Sequence, residues 1–174
     1  RLQTPHGQLD LAACADFAAL TPSTVHAVTA ASGTVKHWKL VENRTSFERV
    51  ARQREPDSGV IWLPGFPPGW WRTAVAQLLD LAPASAHIAC DPDPAGIAIA
   101  LKAAGLWHER SLAWHPWKMA ASDLAALRVR KPLTDGDRLQ LSALRQGPTL
   151  PAPLSELLEW MLKHGEKGEQ EGYL

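Results

Sequence analysis

Residues His87 to Gly105, HIACDPDPAGIAIALKAAG, set two carboxylates between an apolar run and an alanine-rich one. Ala86–Cys90 reads as a short buried strand, and the segment from Pro94 as a well-buried helix, apolar almost all round and closed by Gly105. Pro92 and Pro94 each follow an aspartate and push it toward extended backbone. Side chains two apart in an extended segment point the same way, so Asp91 and Asp93 converge at the strand's C-terminal end. Pro94 suits the first helical position, with Asp93 as N-cap. By itself the pair reads more readily as a cap than as a metal site. A second pair, Asp135 and Asp137, follows Thr134 and opens an amphipathic segment, which is the pattern of a capped helix start.

Outward from this stretch, strand and helix signals alternate. TVKHWKLVEN (34–43) reads as a strand, and Thr45 with Glu48 as a capping box starting a helix through about Arg54. GVIWLPGFPPG (59–69) is strand and loop. WWRTAVAQLLDLA (70–82) carries a helical apolar stripe of Trp71, Val75, Leu78, Leu79 and Ala82. SLAW (111–114) is a fourth strand. At least three such alternations predict an α/β fold, an open parallel sheet of about four strands with helices on both faces. Ligand chemistry in such sheets collects at strand C-terminal ends, where Glu42, Asp91 and Asp93 fall. After HPWKM (115–119) the pattern turns helical over 122–129, 134–146 and 153–164, a C-terminal helical extension, and then a polar tail of the kind that ordinarily frays. Residues 7–20 suggest a short helix, and 21–33 are ambiguous between helix and strand.

The 174 residues, 45% hydrophobic and 21% charged, predict an ordinary globular domain. Eighteen basic residues balance eighteen acidic ones, so no global field marks a nucleic-acid or membrane partner, and such contacts need local patches. Cys14 and Cys90 make no disulfide framework, and this usage fits a reducing cytoplasm. Neither a membrane-length apolar run nor a signal-peptide pattern is present, so a soluble cytoplasmic protein is expected; the start at Arg1 suggests a piece of a longer chain.

The neighbours of the D-x-D pair separate the chemistries that use it. A calcium-binding EF-hand loop from Asp91 has its glycine at Gly96 but sets Ala95 and Lys102 where oxygen ligands are needed. An aspartyl-phosphatase nucleophile wants Thr or Val at position 95. Three carboxylates, Glu42, Asp91 and Asp93, instead suit a hard cation that keeps water or phosphate oxygens in its remaining positions.

LVEN around Glu42, GVIWLPGFPP with Gly65, and CDPDPAG around Asp91 and Asp93 resemble the signature of a Toprim domain. More narrowly, VENRTSF, DPDPAGIAIA and the terminal GEQE resemble the C-terminal domain of the JetD family, the nuclease subunits of Wadjet anti-plasmid systems and relatives of the topoisomerase VI A subunit. The likeness covers residues 35–118 well and the tail loosely. It implies a Rossmann-like Toprim domain over 35–174, with 1–34 a linker or the end of a preceding domain. It also implies a Mg²⁺- or Mn²⁺-dependent endonuclease cutting double-stranded DNA beside an SMC-type complex, with a homodimer as one assembly. Glu42, Asp91 and Asp93 take the family's acidic positions as metal ligands, Glu42 alternatively relaying a proton. GEQE extends the candidate ligands to Glu169 and Glu171. The other reading is a silent Toprim module for dimerisation or partner docking, against which three converging carboxylates weigh by their mutual repulsion.

Arg44, Arg49, Arg52 and Arg54 around the helix after Glu42, and Lys118 beyond the fourth strand, are candidate phosphate contacts or simply solvated cations. Trp62, Trp71 and Trp160 lie where the pattern buries them, which favours core packing over base stacking. The seven histidines show no zinc-like spacing, and His108 and His115 read as ordinary hydrogen-bonding residues. The one tyrosine, Tyr173, sits in the polar tail with no element to fix it. Hydrolysis leaving free DNA ends is therefore expected, rather than the tyrosine-linked cleavage of the topoisomerase relatives.

Overall fold

The computed structural model describes residues 1–14 and 16–170. A four-stranded parallel sheet is formed by β4 (His37–Val41), β5 (Ser58–Trp62), β6 (Ser85–Ala89) and β7 (Trp114–Pro116), in the order β5-β4-β6-β7. Helix α2 (Arg44–Arg52) joins β4 to β5, α3 (Gly69–Leu81) joins β5 to β6, and α4 (Pro94–His108) joins β6 to β7. The C-terminal region adds α5 (Ala121–Ala125), α6 (Asp135–Gln146) and α7 (Ala152–His164), with a two-stranded ribbon of β8 (Lys131–Pro132) and β9 (Glu166–Lys167). The predicted α/β fold with a helical extension is the one observed.

The two faces of the sheet are covered unequally. Leu40, Ala86 and Ile88 face a large core with Trp71, Val75 and Leu79 of α3, Ile97, Ala100 and Trp107 of α4, and Leu141, Leu154 and Leu158 of α6 and α7. On the other face Val41 and Ala89 pack against Phe47 and Ala51 of α2. This explains the nearly all-round apolar surface of α4, since one side meets the sheet and another meets α6. Lower on the α2 face, His37, His87 and His115 stand in a row across three strands, with ring centroids 5.0 and 5.9 Å apart.

Several boundaries move from those expected. Helix α2 is capped by Asn43, whose Oδ1 accepts from the Ser46 N–H at 3.1 Å, and not by the Thr45 box, because the chain turns immediately after Glu42. Helix α4 runs through Gly105 to His108, and Ser111 at φ 54° makes the turn, so the fourth strand starts at Trp114. Helix α5 stops after five residues, where the Arg130 guanidinium donates to the carbonyls of Ala125 and Leu127. The Thr134–Asp137 capping box of α6 and the left-handed Gly165 closing α7 are as expected.

Residues 7–20 do not form the expected helix. The chain enters a small antiparallel sheet of β1 (Leu2–Thr4), β2 (Gly7–Leu9) and β3 (Ala30–Ala31), ordered β2-β1-β3, with one tight turn at Leu11–Ala13 capped by Asp10. Leu11 stays partly exposed and Phe17 reaches α2 singly, its ring meeting Phe47 edge-on at 5.3 Å, so this stretch does not lay down a helical apolar stripe. The short helix α1 (Pro22–His26) leans on α3, where the Gln77 amide donates to the carbonyls of His26 and Val28. Trp71 is buried as expected, but Trp62, the last residue of β5 at the edge of the sheet, is 42% exposed. Trp160 is half-buried and stacks on His164.

Two glycines of α4 have opposite roles. A Cβ on Gly96 would lie 2.0 Å from the Asp91 carbonyl oxygen, whereas one on Gly105 meets nothing within 4 Å. Gly96→Ala is expected to destabilise by about 3 kcal/mol through this backbone collision, and Gly105→Ala to stabilise by roughly 0.5–1 kcal/mol through helix propensity. Urea unfolding of the two variants, with opposite displacement of the midpoints, checks this.

Candidate functional site

The strand order creates the site. From β4 the chain moves to one side to form β5, and it then crosses over β4 to form β6 on the other side. The connections leaving β4 and β6 therefore diverge, opening a crevice between the C-terminal ends of these two strands. Their register pairs Val41 with Ala89, so Glu42 and the Cys90–Asp91 step emerge level with each other. The ladder extends one step further, since the Glu42 N–H donates to the Ala89 carbonyl at 3.0 Å.

Glu42 and Asp91, 49 residues apart, are in contact here: the Asp91 N–H donates to Glu42 Oε2 at 3.1 Å. Asp93 is the N-cap of α4, its Oδ1 accepting from the Gly96 N–H at 2.6 Å. It thus has the capping role, and its charge also reaches Glu42. Burial, followed by the charges of Asp91 and Asp93, pushes the Glu42 carboxyl up to about 7. Burial, followed by the charge of Asp91, raises that of Asp93. Cys90 between them is buried, and burial first, then the neighbouring carboxylates, drives its thiol well above the ordinary range. Gly65, at φ 62°, brings the β5–α3 loop past Glu42 Oε1, and the Trp62 indole N–H donates to the Glu42 carbonyl at 3.0 Å.

The fit of these residues to a divalent cation rests on their donor type and electrostatics. Partly dehydrated carboxylates in mutual repulsion gain from a nearby cation. As the side chains stand, no group of three or more His, Cys, Asp and Glu among the described residues is placed to hold a metal ion, the histidine row included.

The cations predicted to meet phosphate are more dispersed. Arg44 pairs with Glu48 at 3.1 Å, and Arg52 pairs with Asp16 at 2.8 Å and with Glu48 at 3.5 Å. Arg49 lies exposed on the same helix, and Arg54 donates to the carbonyls of Ala51 and Ala12. Lys118 stands exposed just past β7, at the same end of the sheet as the carboxylates, in a left-handed conformation with φ 56°. Glu169 is exposed and paired with Lys131, on which the charge of Asp91 also acts. Glu171 and Tyr173 lie outside the described residues.

Two participants were not among the expected site residues. Asn43 follows Glu42 and fixes the start of α2, and an asparagine before a helical run is a readable cap signal. Gln170 is fully buried in a tail expected to fray, and its backbone N–H donates to Asp91 Oδ1 at 2.7 Å. Residue periodicity in a polar tail does not announce such a contact; only the family likeness of GEQE pointed to this segment.

The raised Glu42 carboxyl has a signed consequence. Between the ordinary value of 4.5 and about 7 the folded state holds a proton that the unfolded state has lost, so this group lowers stability as pH rises through that window. Glu42→Gln is expected to be more stable than the parent above pH 7 without divalent ions. The gain is on the order of 1–2 kcal/mol, reduced from the full linkage value because the carboxyl is partly solvated and screened. The difference should vanish below pH 4.5. Denaturant melts of both chains across this range measure it.

The chain matches the family described as "Protein of unknown function C-terminus (DUF2399)" over residues 18–174. A search of curated proteins finds no match. With nearly all of its length covered, and the whole acidic crevice inside the matched region, the chain belongs to the DUF2399 C-terminal family.

Proposed function

We propose that this chain is the Toprim-like catalytic domain of a divalent-metal-dependent endonuclease that cuts double-stranded DNA. In this reading it is of the JetD kind and acts in the cytoplasm beside an SMC-type complex in plasmid defence. The reading rests on one observation: at the crevice between β4 and β6, Glu42, Asp91 and Asp93 lie near enough for their charges to act on one another, and burial with that repulsion raises the Glu42 and Asp93 carboxyls. The sequence likeness around these residues supplies the choice of DNA as substrate and of the partner.

Glu42, Asp91 and Asp93 would hold Mg²⁺ or Mn²⁺, and a cation there supplies charge stabilisation for the oxygens of a phosphodiester undergoing displacement. The protein's own part is orientation. Asp93 is fixed by capping α4, and Glu42 by the Asp91 N–H. A Glu42 carboxyl near 7 is also poised to take or return a proton at neutral pH. Lys118 at the sheet rim, with Arg49 and the ion-paired Arg44 and Arg52 on α2, meets the phosphate backbone on either side of the scissile bond. Water is the nucleophile, and the products are free ends.

Adding Mn²⁺ at a hundred times its Kd is expected to raise the Tm of the chain by about 5–10 °C. Asp91→Asn and Glu42→Gln abolish that rise without lowering the metal-free Tm. A flat response of the parent chain, or metal-free melting of these variants well below the parent, overturns the metal site. In the longer protein the same substitutions are expected to end duplex cleavage, and denatured reaction products should carry no protein-linked DNA.

With eighteen charges of each sign, the chain alone should bind generic duplex weakly at physiological salt, with a Kd above about 1 µM. Fluorescence anisotropy at that salt tests this, and submicromolar affinity contradicts it.

A further inference from the structure

The segment after α7 does not leave the molecule but runs along the loop that carries the two aspartates. Strand β9 pairs with β8, and the Lys167 ammonium sits 2.9 Å from Asp137, from where its charge also acts on Asp93. The Gly168 N–H donates to the Pro92 carbonyl at 3.1 Å. A Cβ on Gly168 would stand 2.3 Å from a Leu127 methyl carbon, so only glycine allows this approach without repacking. Gln170 then reaches both arms of the crevice. Its backbone N–H donates to Asp91 Oδ1 at 2.7 Å, and its side-chain Oε1 accepts from the Asn43 N–H at 3.0 Å.

Asp91 belongs to the β6 arm, and Asn43 follows Glu42 on the β4 arm. One fully buried residue therefore spans the crevice from behind. Its Nε2 is buried without a hydrogen-bond partner among the described residues. A side chain held in place only for stability gains nothing from an unsatisfied buried donor. What the amide supplies is an uncharged acceptor of the right length, where a carboxylate would add a further charge to the cluster. We propose that Gln170 is a positioning residue that fixes the Glu42 and Asp91 arms relative to each other. Its link to cation affinity rests on the metal-site reading above. Outer groups of this kind set ligand orientation, and their loss typically weakens metal binding.

Gln170→Met keeps the length and removes the acceptor; Gln170→Asn keeps the amide and withdraws it. Amide hydrogen exchange in the metal-free chain reports on both arms, because the Asp91 N–H is itself bound to Glu42. In both variants the Asn43 and Asp91 amides are expected to exchange about fivefold faster, as for the loss of one hydrogen bond, while Leu40 and Ile88 in the sheet keep the parent rates. The Mn²⁺ midpoint of the thermal shift is expected to rise about tenfold. Asp91 exchange at the parent rate, a uniform acceleration that includes Leu40 and Ile88 in both variants, or an unchanged Mn²⁺ midpoint overturns the proposal. A parent chain that shows no Mn²⁺ response overturns the metal reading instead, and the exchange rates still decide the positioning role.

Discussion

Strand β4 is paired on both edges, and that constraint shapes the rest of the molecule. Because β5 and β6 lie on opposite sides of it, the chain must divide its connections between the two faces of the sheet, with α2 on one and α3 and α4 on the other. The divergence leaves the ends of β4 and β6 adjacent. A residue following either strand there is held by a buried ladder on one side and remains half-buried. Glu42 and Asp91 occupy those positions.

Placing carboxylates at such a point costs stability, and the fold limits the cost in identifiable ways. Backbone N–H groups provide near contacts: Asp91 to Glu42, Gly96 to Asp93 and Gln170 to Asp91. Dipolar partners stabilise a charge without neutralising it, so the repulsion that raises the Glu42 and Asp93 carboxyls stays in place. Lys131 and Lys167, the positive charges of the C-terminal ribbon, are paired with Glu169 and Asp137. They temper the negative field without closing the crevice. The same logic separates the two D-x-D pairs. Asp137 completes a capping box and pairs with Lys167, whereas Asp93 caps a helix with the charge of Asp91 alongside it.

The C-terminal helices have a further consequence for the crevice. Helices α6 and α7 enlarge the core on the α4 side, and α7 ends at a left-handed glycine that turns the chain back toward the sheet. The returning segment binds the aspartate loop by backbone at Gly168 and Gln170, so the stability of the helical region is communicated to the acidic residues through short, directional contacts. The open α2 face is different in kind. Its row of His37, His87 and His115 crosses three strands, and burial, followed by the charges of His37 and His115, lowers the basicity of His87.

Residues one or a few positions apart determined much of this before any tertiary contact was known. Alternating apolar runs and capped helices predicted a parallel sheet with a helical extension, and prolines after Asp91 and Asp93 predicted extended backbone at a strand end. These are local effects of sterics and periodicity, and they do not depend on the rest of the chain. Tertiary structure alone decided the order β5-β4-β6-β7, which brings Glu42 to Asp91 across 49 residues. It also ran α4 through Gly105, because burial on two sides outweighs the propensity of one glycine, and it left Trp62 exposed by placing β5 at an edge. The place of Gln170 was the least legible of all. Apart from the family likeness of GEQE, nothing near it in the sequence marks it, because its partners Asp91 and Asn43 are 79 and 127 residues away, and only the packing of the intervening helices brings them together.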